Sequence, residues 1–133
     1  MLTEKDYCDY ETCVALKELG YKGISRFFYA TKESPLRRYS YDQILTTRIA
    51  DAVGHTLAIS LYSAQKFLRE EKKIGVFVSG FKNGYTFWVN NLLNGDTLYQ
   101  GFFDNQTGEK YKSYEEALLE GIKEAVKLLK EEK

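Results

Sequence analysis

Residues 74–103, IGVFVSGFKNGYTFWVNNLLNGDTLYQGFF, decide the fold because two Asn-Gly pairs separate three runs of strand-forming residues. Asn-Gly between such runs is the strongest short-range signal of a two-residue hairpin turn. The runs at 74–80, 85–92 and 97–103 are rich in β-branched and aromatic side chains. We therefore predict an antiparallel meander of three strands.

Alternation along the strands sorts the side chains of this meander onto two faces. Two-residue turns at Asn83-Gly84 and Asn94-Gly95 predict a register that pairs Val78 with Val89 and Asn90 with Tyr99. One face, called the aliphatic face, then carries Ile74, Val76, Val78, Phe87, Val89, Leu98 and Phe102. The other, called the aromatic face, carries Phe77, Phe81, Trp88, Tyr99 and Phe103, with Ser79, Thr86 and Asn90 between them.

An aromatic face needs a cover, since the solvated face of an antiparallel sheet is normally polar. The N-terminal half of the chain is the first candidate and a second copy of the protein is the next. Stacked nucleobases are the third, because aromatic side chains on a sheet serve as stacking platforms. The sequence leaves these three covers open.

Two amphipathic helices flank the meander. The first, about 60–72, has apolar residues at helical spacing and a serine, Ser60, that can cap its start. The second, about 114–131, begins with the capping box Ser113-Tyr-Glu-Glu116 and continues with a long apolar stripe. We expect both helices to cover the aliphatic face.

The N-terminal half is predicted to form a helix, a strand and a further helix. The helix at 9–19 ends before Gly20, the strand covers 24–30, and the second helix covers 41–54. The loop-like segment 31–40 contains the only proline of the chain. We therefore predict a single α+β domain, residues 1–133, with an internal seam at 31–40 and the N-terminal portion packing on the meander.

The composition is that of a globular protein without a strong charge of either sign. The 133 residues are 44% hydrophobic, and 19 basic side chains balance 19 acidic ones. The segment 21–50 carries +4, whereas residues 1–20 and 94–133 each carry −3. This is far from the footprint of a dedicated nucleic-acid-binding protein. No signal peptide and no membrane-spanning run is visible, so we expect a cytoplasmic protein with free thiols and no membrane contact.

Residues for catalysis are scarce. His55 is the only histidine, and Cys8 and Cys13 are the only cysteines. A Cys–His pair is a possible nucleophile and base, but no glycine-flanked nucleophile or phosphate-binding loop accompanies it. Two cysteines and one histidine also fall short of a four-ligand zinc site. The sequence predicts no catalytic residue, no metal, no cofactor and no enzymatic activity.

Residues for interaction are easier to find. The stretch RRYSY places Arg37, Arg38, Tyr39 and Tyr41 close together, a mixture typical of protein interfaces and of phosphate contacts. The aromatic face adds a second set. The predicted interaction residues are Arg37, Arg38, Tyr39, Tyr41, Phe77, Phe81, Trp88, Tyr99 and Phe103.

Two segments carry a resemblance to a family. Residues 60–76, SLYSAQKFLREEKKIGV, resemble a recurring AQKWLRE block that leads into a strand, and 111–129, YKSYEEALLEGIKEAVKLL, resemble a TYEEALEAGIKEAL block. Together they are similar to small uncharacterised proteins of gut Bacteroidales and their phages or mobile elements. Phe67 stands where the first block has tryptophan. The resemblance implies an accessory, phage-linked role and assigns no functional residue.

The element order of residues 60–131 also resembles the double-stranded-RNA-binding fold. Such domains meet phosphates with a lysine-rich start of the last helix, whereas this chain has the acidic SYEEALLEG there. We therefore expect a small accessory protein that acts through protein–protein contact or self-association. The alternative is a weak nucleic-acid-binding module that uses the aromatic face and the basic loop, and the third hypothesis is an enzyme with an unrecognised site.

Overall fold

The computed structural model describes residues 4–39, 44–81, 84–100 and 111–131. The chain forms two compact units, Met1–Ser60 and Leu61–Lys133, called the first and the second unit. Both contain helices and antiparallel sheets, which confirms the α+β class. The two units are separated after residue 60, and the predicted seam at 31–40 lies inside the first. The single domain stays a prediction.

Short strands dominate the first unit. Its elements are a 3₁₀ turn at Glu4–Asp6, the helices α1 (Tyr10–Glu18) and α2 (Thr47–Ala52), and the strands β1 (Ile24–Ser25), β2 (Phe27–Tyr29), β3 (Arg37–Arg38), β4 (Leu45–Thr46) and β5 (Thr56–Leu57). β1 pairs with β4, and β2 lies between β3 and β5, all antiparallel. The predicted strand 24–30 is thus interrupted at Arg26, and its two parts join different sheets.

The helix predictions in the first unit have different outcomes. α1 is confirmed: the Asp9 carboxylate accepts a hydrogen bond from Thr12 N at 2.9 Å, and Gly20 follows with a φ of +104°. The prediction of one helix over 41–54 is wrong for its described part, because β4 precedes the short α2. The Thr46 hydroxyl accepts a hydrogen bond from Ile49 N at 3.1 Å, so an N-cap begins α2 six residues later than predicted. Residues 41–43 lie outside the described residues.

The second unit follows the predicted order. It contains α3 (Leu61–Glu71), β6 (Ile74–Phe81), β7 (Gly84–Asn91), β8 (Thr97–Gln100) and α4 (Tyr114–Glu131), and the sheet order is β6-β7-β8. Half of the predicted capping box is present: Ser113 Oγ accepts from Glu116 N at 3.1 Å, whereas the Glu116 carboxylate accepts from Lys112 N, one residue before the N-cap, at 3.1 Å. The meander and its flanking helices are confirmed.

α4 covers the aliphatic face at a glycine. A Cβ at Gly121 would lie 2.5 Å from Val76 Cγ1 and 3.1 Å from the Phe87 ring, so the helix backbone lies directly on the sheet. Phe87 is 2% exposed, and Val76 and Val89 are buried as well. α3 contacts both β6 and α4. The core of the second unit therefore lies between this face and α4.

The predicted register of β6 and β7 is wrong by two residues. Val78 pairs with Phe87, and Val76 pairs with Val89. Phe81 pairs with Gly84, so Gly84 belongs to β7 and not to the turn. A shift of two residues keeps every side chain on its predicted face, because side chains alternate with a period of two.

In the part of the chain that the structure describes, no helix combines the length and the apolar character needed to cross a membrane.

Candidate functional site

The predicted interaction residues do not form one set. Tyr99 lies on the aliphatic face, where it pairs with Val89 and stacks on Phe87 with ring centroids 5.2 Å apart. The cause is an irregularity between Val89 and Asn90, where the partners change from Tyr99 to Thr97. The extra residue reverses the alternation, so the prediction of Tyr99 on the aromatic face is wrong.

Three other predicted residues are not described in full. Tyr41 and Phe103 lie outside the described residues, as does the side chain of Phe81, whose backbone belongs to β6. Of the predicted aromatic side chains on this face, the structure describes Phe77 and Trp88. They are direct neighbours across β6 and β7.

The aromatic face is open at one end and covered at the other. Phe77 is 46% exposed, and its ring lies over Gly75, where a Cβ would be 2.6 Å from Cε2. Leu92 contacts the same position, so an apolar patch of Phe77 and Leu92 lies beside Trp88. Thr86, on the same face, is fully buried. The sheet therefore exposes a small apolar patch rather than a continuous aromatic platform.

Two buried oxygens lie on either side of Trp88 along β7. The Thr86 hydroxyl and Asn90 Oδ1 have no hydrogen-bond partner among the described residues. An unpaired buried acceptor costs about 1–3 kcal/mol. The described residues leave this cost at Thr86 and Asn90 without compensation.

β6 is an edge strand of its sheet, and none of the other described strands pairs with its outer side. Tyr85 exchanges hydrogen bonds with Tyr111 on the side of β7 away from β6, so its alternate neighbours, Thr86 and Trp88, turn their backbone groups toward β6. Their partners across the ladder are Ser79 and Phe77. The residues between and after these, Val78 and Gly80, therefore turn N–H and C=O away from the sheet.

One side chain protects part of this edge. Gln65 of α3 donates from Nε2 to Val76 O at 2.8 Å, which confirms that the even-numbered groups of β6 point outward. No described residue makes a hydrogen bond to the outward N–H and C=O of Val78 and Gly80. Ser79 and Gly80 are exposed. We call the outward backbone of Val78 and Gly80 the β6 edge.

The sequence of β6 itself indicates this edge. Edge strands are usually protected by lysine, proline or a bulge. IGVFVSGF, Ile74–Phe81, contains no charged residue and no proline, and its pairing with β7 is regular over the whole strand. The β6 edge is thus the side of an edge strand that lacks the usual protection by charge, proline or a bulge.

The two predicted arginines of the first unit also lie on an edge strand. Arg37 pairs with Phe28 and Arg38 with Phe27, and both arginines are exposed. Because they are successive strand residues, their side chains lie on opposite faces of β3. Tyr39 contacts the Phe28 ring edge-on, with centroids 5.9 Å apart. The three residues are neighbours, but they do not converge on one point.

The candidate nucleophile and base have other partners. Cys13 Sγ donates to Cys8 O at 3.6 Å and accepts from Ile59 N at 3.3 Å, deep in the first unit. The His55 ring stacks on Phe28 with centroids 4.5 Å apart. Within the described ranges, no three His, Cys, Asp or Glu side chains are grouped closely enough to hold a metal ion. These contacts are those of packed side chains.

Tyr29 of β2 connects the sheet β3-β2-β5 to the segment that holds Cys8 and Cys13. Its hydroxyl donates to Cys8 O at 2.7 Å, and the side chain is buried. Burial raises the pKa of Tyr29 above its ordinary value of about 10, and nearby Cys13 adds to the effect.

We expect alkali to destabilise the first unit through Tyr29. A raised pKa in the folded protein means that this contribution to stability is complete below about pH 10 and is lost as the pH rises above it. Tyr29→Phe should lower the free energy of unfolding by about 1 kcal/mol at neutral pH and weaken its alkaline decline. Urea unfolding followed by circular dichroism, from neutral pH to about pH 11, measures both. Tyr62→Phe, an exposed control, should change neither, and an unchanged decline in Tyr29→Phe would contradict this account.

Comparison with protein families, curated proteins and solved structures finds no match to this chain.

Proposed function

We propose that the protein is a non-enzymatic accessory protein of the cytosol that acts through protein–protein contact, and that it associates with a second copy of itself by strand addition at the β6 edge. The observation that carries this proposal is the uncharged, regular edge strand whose outward donors and acceptors at Val78 and Gly80 have no described partner. Strand addition at such an edge is a common mode of protein recognition.

The β6 edge is complementary to itself. In an antiparallel pair of two β6 strands centred on Ser79, Val78 of one copy lies opposite Gly80 of the other. Each of these residues turns both N–H and C=O outward, so a second copy satisfies all the free groups at once. The contact is isologous and closed by a twofold axis, which stops assembly at a dimer. A second copy always brings a strand whose outward groups match this edge in number and spacing.

The side chains around the edge support the same contact. Phe77, 46% exposed, neighbours Ser79 on the aromatic face, so a strand added there covers part of its ring. Gly80 has no side chain to obstruct an approaching backbone. The bond from Gln65 to Val76 O limits the pairing to the second half of β6. A contact of this size buries less area than a standard interface of about 1,600 Å². The dimer is therefore weak, and its fraction rises with protein concentration.

Two further observations support the proposed cytosolic location and accessory role. Cys8 and Cys13 are both free and buried, which suits a reducing compartment. The resemblance of 60–76 and 111–129 to proteins of Bacteroidales and their mobile elements supports an accessory role there. The alternative, weak nucleic-acid binding, would use the aromatic face of the second unit or Arg37 and Arg38 of the first, and predicts binding that weakens with salt.

Ser79→Lys is expected to weaken self-association strongly. In the twofold pairing the two Ser79 residues form a non-hydrogen-bonded pair with Cα atoms about 4.5 Å apart, so two lysines there repel each other. The mutated side chain is exposed in the monomer, so the fold is retained. Sedimentation velocity over a dilution series measures the dimer fraction, and we expect at least about a tenfold increase in Kd.

Ser79→Thr is the matched control, because it changes the same side chain without adding charge and should leave the dimer intact. Acrylamide quenching of Trp88, next to Phe77 across the strands, provides a second readout that decreases as the dimer forms. A strictly monomeric wild-type protein at millimolar concentration, or a dimer that tolerates Ser79→Lys, would refute association at this edge.

A further inference from the structure

A cavity of about 650 Å³ opens in the first unit. Its walls come from the end of α1, the loop at 20–24 and the segment from β4 into α2. This volume is within the usual range of small-molecule sites, about 300–1,000 Å³. The cavity lies entirely within one unit and is distinct from the β6 edge.

The cavity has an excess of positive charge. Lys17, Lys22 and Arg48 line it, together with one carboxylate, Asp51. Lys17 Nζ lies 2.8 Å from Asp51 Oδ1, so that carboxylate is already paired. Lys22 and Arg48 are exposed and have no ionic or hydrogen-bond partner among the described residues. Two cations thus line one cavity without a counter-ion from the described chain.

The cavity also has an apolar part. Tyr21 is buried, and its ring folds over Gly23, where a Cβ would collide with the phenol oxygen. Ile24 is 64% exposed although its backbone is held in β1 opposite Thr46. An isoleucine this exposed on a fixed strand offers apolar surface to a ligand body.

Hydroxyl groups complete the lining. Thr47 Oγ1 accepts a hydrogen bond from Gly23 N at 3.4 Å, and Thr46 Oγ1 accepts one from Ile49 N at 3.1 Å. Both oxygens are acceptors in these bonds, so each hydroxyl retains its hydrogen for donation. The cavity therefore offers donors and cations, and its one carboxylate is neutralised.

We propose that this cavity binds a small organic anion: a phosphate or carboxylate group held by Lys22 and Arg48, on an apolar body that packs against Ile24 and Tyr21. A guanidinium recognises both oxyanions in a planar, bidentate way, and an ammonium adds a point charge. The apolar wall distinguishes such a ligand from a bare inorganic ion. The site is independent of self-association at the β6 edge.

The experiment uses phenyl phosphate and benzoate as probes, titrated into the full chain and followed by the backbone amide shifts of residues 22–24 and 46–48. We expect saturable shifts, and about tenfold weaker binding of at least one probe in the double variant Lys22→Gln/Arg48→Gln. Both positions are exposed, so these variants fold. Arg37→Gln/Arg38→Gln is the matched control, because it removes two charges of the same unit outside the cavity, and it should bind as the wild type does.

A second variant separates the ligand body from its charge. Ile24→Ser should weaken phenyl phosphate while leaving inorganic phosphate unchanged. Inorganic phosphate that binds as tightly as phenyl phosphate would overturn the proposal, as would the absence of saturable shifts with both probes. A single-stranded oligonucleotide that binds more tightly than either probe and loses affinity in Arg37→Gln/Arg38→Gln would assign the basic residues to nucleic acid instead.

Discussion

Phe87→Ala is expected to lower the free energy of unfolding of the second unit by about 4 kcal/mol, the largest effect of any single substitution considered for this chain. Phe87 is 2% exposed and lies under α4 at Gly121. Its ring stacks on Tyr99 and has a centroid 6.0 Å from that of Tyr111. Alanine removes the ring from the point where helix and sheet meet, and the surrounding backbone cannot close the cavity.

Urea unfolding followed by the emission of Trp88 measures this loss, because the indole is in β7 of the same sheet. The matched control is Phe77→Ala, the same substitution on the opposite face of the same ladder. Phe77 is 46% exposed, so its loss should cost about 1 kcal/mol and act mainly on self-association. Equal losses from the two substitutions would show that the aliphatic face is not the core of this unit.

Gly121→Val is expected to cost about 3 kcal/mol for the opposite reason, overpacking. A Cβ at this position would be 2.5 Å from Val76 Cγ1, and a β-branched side chain on a sheet has little freedom to move away. α4 must then rise from the sheet and lose contact with Phe87. Glycine in a helix is itself unfavourable by about 1 kcal/mol relative to alanine, so close packing outweighs helix propensity here.

Lys127→Val on the exposed side of α4 is the control, and it should cost only the small difference in helix propensity. A double-mutant cycle tests the contact directly. Val76→Ala alone makes a cavity, whereas in the Gly121→Val background it makes room for the new side chain, so the combined cost should be less than the sum. If the two losses in free energy of unfolding are strictly additive, the Val76 side chain is not the group that requires a glycine at position 121.

The helices of the second unit could be predicted because two independent signals agree in each. In α4 the capping box fixes the start, and the apolar stripe through Ala117, Ile122 and Val126 fixes the buried side. The three strands could be predicted from their β-branched and aromatic runs. Local chemistry and burial point to the same structure in these segments.

The register could not be predicted, because Asn-Gly marks a turn without fixing which residues close it. At Asn83-Gly84 the error was two residues and had no effect on the faces. Near Asn94-Gly95 the irregularity between Val89 and Asn90 moved Tyr99 to the other face. A single extra residue at this irregularity determines which face Tyr99 occupies. The spacing of residues in TLYQ contains no signal for that extra residue.

The first unit was harder to predict for a different reason. Most of its strands have two residues, too few for a period of two to be visible. Leu45 satisfied a helical pattern, yet it pairs with Ser25 in a strand. The cavity residues Lys22 and Arg48 are distant in sequence and line the same cavity because β1 pairs with β4, so no local motif could have identified them.

The buried thiols of the first unit and the indole of the second give this protein two built-in reporters. Cys8 and Cys13 are the only cysteines and Trp88 is the only tryptophan of the chain. Both thiols are fully enclosed, so a thiol reagent reaches them only when the first unit opens, whereas the emission of Trp88 follows the second unit. Labelling kinetics and fluorescence on one unmodified sample therefore time the opening of each unit separately and show whether the chain opens in one step or in two.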